Sequence, residues 1–112
     1  ACDIDPVAVR TEKENFERNH CDKITCAVSD LLKDVPLPEE GYYDICTANI
    51  VADIIIRMAN DIGRYVRKNG YIIVSGIIDT REKDVDEALT KAGLTKIDAM
   101  YEKGWCAEVF KV

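Results

Sequence analysis

Three polar side chains stand where short apolar stretches of the sequence stop, and their types suit the binding of a nucleoside. Asp3, Asp30 and Asn49 each close such a stretch. A carboxylate accepts two hydrogen bonds at once, so it suits the vicinal hydroxyls of a ribose, and a second acidic or polar group nearby could reach the amino group of adenine. Each aspartate also has a plainer explanation. Asp3 could cap the following helix beside Asp5, and Asp30 could stabilise a turn.

The elements that must position these residues alternate between strand and helix. Period-two or continuous apolar stretches predict strands at residues 1–4, 24–28, 43–48, 71–78, 94–101 and 105–112. A helix is predicted over residues 6–19, with Asp5 as its N-cap and Pro6 in its first turn. A second helix runs from Val51 through Val66, with Gly70 as its stop signal, and a third runs to residue 92. We expect the third to begin with a capping box of Asp79 and Glu82.

This order predicts an α/β fold with a mostly parallel sheet and helices on both faces. The last two strands read as a hairpin that adds one antiparallel strand to an edge of the sheet. Ligands of such sheets bind beyond the carboxyl ends of the strands, which is where Asp3, Asp30 and Asn49 are expected.

Composition and spacing exclude several functions. A net charge of −6 argues against a broad nucleic-acid surface or a polybasic membrane surface. Gly70 and Gly76 are the closest two glycines, which leaves no G-x-G-x-x-G motif and no P-loop. Neither serine lies in a G-x-S-x-G motif, and the five cysteines contain no C-x-x-C pair. We therefore expect no bound metal and a reducing compartment, with buried, inert thiols at Cys26, Cys46 and Cys106.

Several short motifs resemble those of class I S-adenosylmethionine-dependent methyltransferases. D-I-D-P stands at residues 3–6, A-N-I at 48–50 and S-G-I at 75–77. In this order, and with Trp105-Cys106 opening the last strand, they are similar to the ribosomal protein L11 methyltransferases over essentially the whole chain.

The resemblance implies a Rossmann-like methyltransferase sheet, S-adenosyl-L-methionine as the cofactor, and a ribosomal protein as the substrate in the cytoplasm. Asp3 would bind the ribose hydroxyls and Ile4 would pack on the adenine, while Asp30 and Leu31 would lie at the adenine edge. Asn49 would contact the cofactor and also act as the catalytic residue, like the first residue of the N-P-P-Y motif of amino-group methyltransferases.

The sequence departs from the family pattern before D-I-D-P. The family's first strand and its glycine-rich loop, which wraps the methionine end of the cofactor, are not found among the 112 residues. The N-terminal domain that recognises the ribosomal substrate is not found either. We therefore interpret residues 1–112 as the C-terminal portion of one catalytic domain, inactive when alone.

Other functions stay open on the residues themselves. A methyltransferase of the same fold could act on a small amine or an RNA base. A NAD-binding Rossmann domain would also use Asp3 to hold a ribose, although A-N-I and the final hairpin argue against it. A non-catalytic structural domain is the third alternative, in which Asn49 is only a turn residue.

Overall fold

Six strands and three α-helices make up the computed structural model, which describes all 112 residues. The strands are β1 (Cys2–Asp3), β2 (Ala27–Val28), β3 (Tyr43–Asn49), β4 (Val66–Ile78), β5 (Thr95–Glu102) and β6 (Trp105–Lys111). The helices are α1 (Pro6–Arg18), α2 (Ala52–Ile62) and α3 (Glu82–Lys91), with a 3-10 turn at Asp79–Arg81. The chain divides into a first unit, Ala1–Pro36, and a second unit, Leu37–Val112. None of the three helices has both the length and the apolar character that a membrane-spanning helix requires.

The first unit is a β-α-β element with very short strands. β1 and β2 pair in parallel, with Asp3 opposite Val28. The predicted start of α1 is confirmed: the Asp5 carboxylate accepts a hydrogen bond from the Val7 backbone N–H at 2.8 Å, and Pro6 occupies the first turn. The predicted strand at residues 24–28 is shorter than expected, because only its last two residues pair with β1.

The second unit holds a four-stranded sheet in the order β3-β4-β6-β5. β3 and β4 are parallel, and β6 runs antiparallel to both of its neighbours. The predicted α/β fold is therefore confirmed, and its sheet is mixed, with one parallel and two antiparallel strand pairings. The predicted place of the antiparallel strand is wrong, because β6 inserts between β4 and β5 and leaves β5 at the edge.

The core of the second unit lies between this sheet and the helices α2 and α3. Burial of each large apolar side chain contributes about 1.5–3 kcal/mol. The apolar side chains with no exposed surface are Ile55, Ile62, Ile72, Val74, Ile77, Val85, Leu89 and Phe110.

Helix α2 ends earlier than its apolar period indicates. Tyr65 and Val66 continue the helical spacing, yet the helix stops at Ile62 and Val66 already pairs with Tyr43 in the sheet. The Tyr43 backbone N–H donates to the Tyr65 carbonyl at 2.9 Å. Pairing with β3 therefore overrides the local helical pattern, which a residue spacing alone does not reveal.

Gly70 lies inside β4 and is not the predicted helix stop. A Cβ at this position would stand 2.6 Å from the Asp44 carbonyl oxygen and 2.6 Å from a methyl carbon of Val66. A residue with a side chain would clash with these atoms, so the close approach of the neighbouring chain favours glycine at this position.

The predicted capping box at the start of α3 is also wrong. No side chain caps this helix, and the Asp79 backbone N–H donates to the Gly104 carbonyl at 2.9 Å in the β5–β6 turn. The Glu82 carboxylate accepts hydrogen bonds from the Lys96 ammonium at 3.0 Å and from the Tyr101 hydroxyl at 2.5 Å. Contacts with the hairpin therefore replace the local cap.

The five cysteines are free thiols. Cys106 is buried as expected, whereas Cys26 and Cys46 are half-buried, so the prediction of burial is wrong for these two. Desolvation raises the pKa of the Cys106 thiol, which keeps it protonated and unreactive at neutral pH.

A fully buried carboxylate links the hairpin to α3. Glu108 on β6 has no exposed surface, and its Oε1 lies 2.6 Å from the Lys96 ammonium on β5. The same ammonium lies 3.0 Å from Glu82 and 3.4 Å from Asp86 on α3, while Oε2 of Glu108 has no hydrogen-bond partner. Lys96 is thus the cation of a cluster that contains three carboxylates.

Burial and pairing act in opposite directions on this cluster. Desolvation raises the pKa of Glu108 above its ordinary value, and the hydrogen bond and charge of Lys96 only partly offset this effect. Desolvation lowers the pKa of Lys96, but its bonds to Glu108 and Glu82 and the charge of Asp86 outweigh that loss, so its pKa is raised overall.

We predict that Lys96→Met lowers the free energy of unfolding by about 3 kcal/mol, because it leaves the Glu108 carboxylate buried without a cation. Adding Glu108→Leu should recover most of this loss, since an apolar pair of similar volume replaces the ions. Urea unfolding followed by the fluorescence of Trp105, the single tryptophan, measures both changes. Lys83→Met is the control, because its exposed pair with Glu87 at 3.8 Å should change stability by less than about 0.5 kcal/mol. Equal losses for Lys96→Met and Lys83→Met would contradict the prediction.

We also predict that Glu108→Gln becomes more favourable, relative to the unchanged chain, as the pH rises from the ordinary glutamate pKa of 4.5 through the raised pKa of Glu108. Between these two pKa values the unfolded chain has lost the proton while the folded chain still holds it, so rising pH destabilises the folded state there. Glutamine does not titrate, so the stability of the Glu108→Gln variant does not fall with pH for this reason. The groups that face Glu108 are Glu82, Asp86 and Lys96, and all three are retained in the variant. A stability difference that stays constant or falls with pH would show that the pKa of Glu108 is not raised.

Candidate functional site

Asp3 stands at the carboxyl end of β1 and is already used by the backbone. Its Oδ1 accepts a hydrogen bond from the Asp5 N–H at 2.8 Å. Asp3 therefore supports the start of α1, which is the plainer structural role expected from the sequence. This contact occupies one of about four acceptor positions of a carboxylate and leaves room for further donors. The next residue, Ile4, is 65% exposed, which places a large apolar side chain in solvent beside the carboxylate.

Ser29 fixes the end of β2 against the end of β1. Its backbone N–H donates to the Asp3 carbonyl at 2.9 Å, and only 3% of its surface is exposed. Its hydroxyl donates to the Leu31 carbonyl at 2.9 Å and accepts from the Asp34 N–H at 3.2 Å. These bonds hold Leu31 in a left-handed conformation with φ of 59°. The turn that carries Asp30 and Leu31 is therefore ordered by a buried serine.

Asp30 takes part in that turn and is half-buried. Its Oδ2 forms an ion pair with the Lys33 ammonium at 2.5 Å, three residues along the chain. Both side chains keep a large exposed fraction, so the pair contributes little to stability. These contacts support the explanation that Asp30 stabilises a turn. If Asp30 also binds a ligand, the ligand must share the carboxylate with Lys33.

Asn49 is the last residue of β3 and is exposed. It lies opposite Ser75 of β4, and the Ile50 backbone N–H donates to the Ser75 carbonyl at 3.1 Å. The next residue of β4, Gly76, has φ of 78°. A Cβ on Gly76 would lie 2.8 Å from Asn49 Oδ1. The A-N-I and S-G-I motifs are therefore neighbours in space.

The structure gathers the predicted residues into two groups. Asp3, Ile4, Asp30 and Leu31 lie at the carboxyl ends of β1 and β2 in the first unit, and Asn49 lies at the carboxyl end of β3 in the second unit. Sequence reasoning missed the contacts of Ser29 and of Gly76. A serine directly before Asp30 was a usable signal for the first, whereas the second depends on the register of β3 and β4.

The chemistry of these groups is that of binding and orientation. Carboxylates and an amide can accept hydrogen bonds from hydroxyls and amines, and the predicted residues contain no pair of nucleophile and base. No group of three or more His, Cys, Asp or Glu side chains is arranged to hold a metal ion. An open depression beside α1, lined by residues that include Phe16 and His20, contains none of the predicted residues.

Curated proteins resemble this chain along almost all of its length. The ribosomal protein L11 methyltransferase of Ruminiclostridium cellulolyticum is 40% identical over 111 residues, which are 99% of the chain and 35% of that protein. The protein of the same name from Thermotoga neapolitana is 37% identical over 111 residues, again 99% of the chain and 40% of that protein. The chain thus spans well under half the length of these relatives.

A solved structure shows the same fold. The crystal structure of a ribosomal protein L11 methylase from Lactobacillus delbrueckii subsp. bulgaricus superposes with a TM-score of 0.91. The superposition covers 99% of this chain and 56% of the crystallised chain, at 24% sequence identity. The Rossmann-like methyltransferase fold is therefore confirmed.

The family described as "Ribosomal protein L11 methyltransferase (PrmA)" matches residues 1–112, from the first residue of the chain to the last. The order of D-I-D-P, A-N-I and S-G-I along the chain, and the pairing of the last two in the sheet, agree with that match. This chain belongs to the ribosomal protein L11 methyltransferase family.

Proposed function

We propose that residues 1–112 form the C-terminal portion of a catalytic domain that transfers methyl groups from S-adenosyl-L-methionine to amino groups of a ribosomal protein. The observation that carries this proposal is the position of Asp3 and Asn49, each the last residue of a parallel strand in a chain that belongs to the methyltransferase family. The names of the relatives make ribosomal protein L11 the substrate to test.

The first unit offers the groups that an adenosine requires. One oxygen of Asp3 is bound by a single backbone N–H, so the carboxylate can still accept two ribose hydroxyls. Exposed Ile4 and half-buried Leu31 supply apolar surface for a purine ring. Asp30 would accept a hydrogen bond from the exocyclic amino group, in competition with Lys33. The donor and acceptor types at this strand end therefore fit the cofactor.

Asn49 would orient the amine that receives the methyl group. The cofactor, when bound, supplies a methyl group that its sulfonium has already activated. No hydrogen bond within the chain engages the Asn49 side-chain amide, so its oxygen is free to accept one from an amine. A neighbouring backbone carbonyl would accept a second, and the two together fix the direction of the nitrogen lone pair. Proximity and orientation of this kind account for a large part of such rate enhancements.

The setting of the reaction follows from charge and cysteine chemistry. A net charge of −6 favours the approach of a substrate that carries protonated amino groups.

Free thiols at all five cysteines fit a reducing compartment, and we place the enzyme in the cytoplasm. Family membership favours methyl transfer over the NAD-binding alternative.

We predict that Asp3→Ala weakens binding of S-adenosyl-L-methionine to the complete enzyme by about 1–3 kcal/mol, the usual loss for hydrogen bonds to a charged group. Asp3→Asn is the matched variant: its carbonyl oxygen can still accept from the Asp5 N–H, but its amide nitrogen cannot accept a ribose hydroxyl. We therefore expect it to preserve thermal stability and still to weaken binding, as measured by titration calorimetry. Unchanged affinity in both variants would remove Asp3 from the site and leave it only its role at the start of α1.

We predict that Asn49→Ala lowers kcat at least about 100-fold while the Kd for S-adenosyl-L-methionine changes only a few-fold, because its main partner is the amine. Initial rates of methyl transfer and calorimetry give the two quantities. Thr47→Ala is the control, since Thr47 is also exposed and lies on the same face of β3 two residues earlier. Equal losses of kcat and cofactor affinity, or a loss of thermal stability alone, would return Asn49 to the role of a turn residue.

A further inference from the structure

Gly76 lies against the residue to which the proposed function assigns catalysis. It follows Ser75, the partner of Asn49, in the part of β4 where the pairing with β6 shifts between Val74 and Ile77. We propose that Gly76 is a positioning residue, whose missing side chain sets the place of the Asn49 amide. The proposal rests on the proposed function of Asn49.

Three contacts define the space that a side chain at Gly76 would fill. A Cβ would stand 2.8 Å from Asn49 Oδ1, 3.1 Å from the Ile50 carbonyl oxygen and 3.2 Å from the Ile50 nitrogen. The first distance is shorter than carbon and oxygen tolerate without bonding, so the amide must move. The other two are tight and require a shift of a few tenths of an ångström. Both neighbours belong to the A-N-I motif.

The atom that must move most is also the easiest to move. Asn49 Oδ1 is the end of an exposed side chain, and rotation about its side-chain bonds relieves the contact at little cost in folding energy. The same rotation takes the oxygen away from the place where it would meet an amine. A methyl group at Gly76 should therefore harm orientation far more than folding, which distinguishes a positioning role from a packing role.

The chain contains a matched control for the backbone strain of such a substitution. Gly93 also has a left-handed backbone, with φ of 94° against 78° for Gly76. A Cβ on Gly93 meets no atom within 4 Å. Alanine at either position bears the cost of positive φ, but only alanine at Gly76 meets Asn49. A difference in activity between the two variants then reports the contacts with Asn49 and Ile50, and the double variant with Asn49→Ala separates the amide from the Ile50 backbone.

The experiment compares Gly76→Ala, Gly93→Ala, Asn49→Ala and the double variant Gly76→Ala/Asn49→Ala in the complete enzyme. Methyl transfer to ribosomal protein L11 gives kcat and KM, calorimetry gives the Kd for S-adenosyl-L-methionine, and thermal unfolding gives Tm. We expect Gly76→Ala to lower kcat at least about tenfold, because misplacement by about 1 Å can cost 100-fold. We expect Gly93→Ala to keep kcat within about twofold at a similar loss of Tm. The double variant should be no slower than Asn49→Ala, because Gly76 acts only through the amide.

Each departure from this pattern has a separate meaning. If Asn49→Ala loses turnover while Gly76→Ala behaves like Gly93→Ala, the positioning role is overturned and the proposed function stands. A double variant much slower than Asn49→Ala also overturns it, because Gly76 would then act independently. If Asn49→Ala itself keeps full turnover, the proposed role of Asn49 fails. Should Gly76→Ala not fold, Gly76→Asn brings the same Cβ with less backbone strain, and the same outcomes decide.

Discussion

β4 is the strand on which the second unit depends, because β3 pairs with one of its edges and β6 with the other. Ile72, Val74 and Ile77 on this strand have no exposed surface and form the centre of the core under the helices. The register that buries these residues also sets Asn49 opposite Ser75. A slip by one residue would turn every side chain to the other face of the sheet. The free energy that stabilises the core therefore also holds the proposed catalytic residue in place.

A partly buried ion cluster completes this arrangement on the β6 side of β4. Glu108 on β6, Lys96 on β5 and Glu82 on α3 join three elements through one ammonium group. A buried ion pair adds little net stability, since desolvation offsets most of the attraction. We expect its main effect to be on geometry, because an apolar contact tolerates small slides more readily than a 2.6 Å ion pair does. We expect the cluster to hold α3 in one position on the hairpin.

The local sequence pattern predicts much of the fold. The predictions that are wrong concern features that depend on contacts between distant segments. Asp5 and Pro6 act within one turn, so the sequence alone locates the start of α1. The end of α2 was missed because Val66 fits the helical period, while its partner Tyr43 lies in a distant segment. The place of β6 between β4 and β5 is likewise a matter of strand order, which no residue spacing encodes. In the site, the position of Asn49 after an apolar strand was visible, but its contact with Gly76 depends on strand register.

We propose that this chain is part of an enzyme that methylates amino groups of a ribosomal protein. The most direct measurement is mass spectrometry of purified ribosomal protein L11 after incubation with the complete enzyme and S-adenosyl-L-methionine, with ribosomal RNA and small amines offered in parallel reactions. We expect L11 to gain mass in whole methyl groups, located on amino groups by fragmentation, while the other acceptors stay unchanged. Unmodified L11 alongside a methylated RNA base or small amine would contradict it.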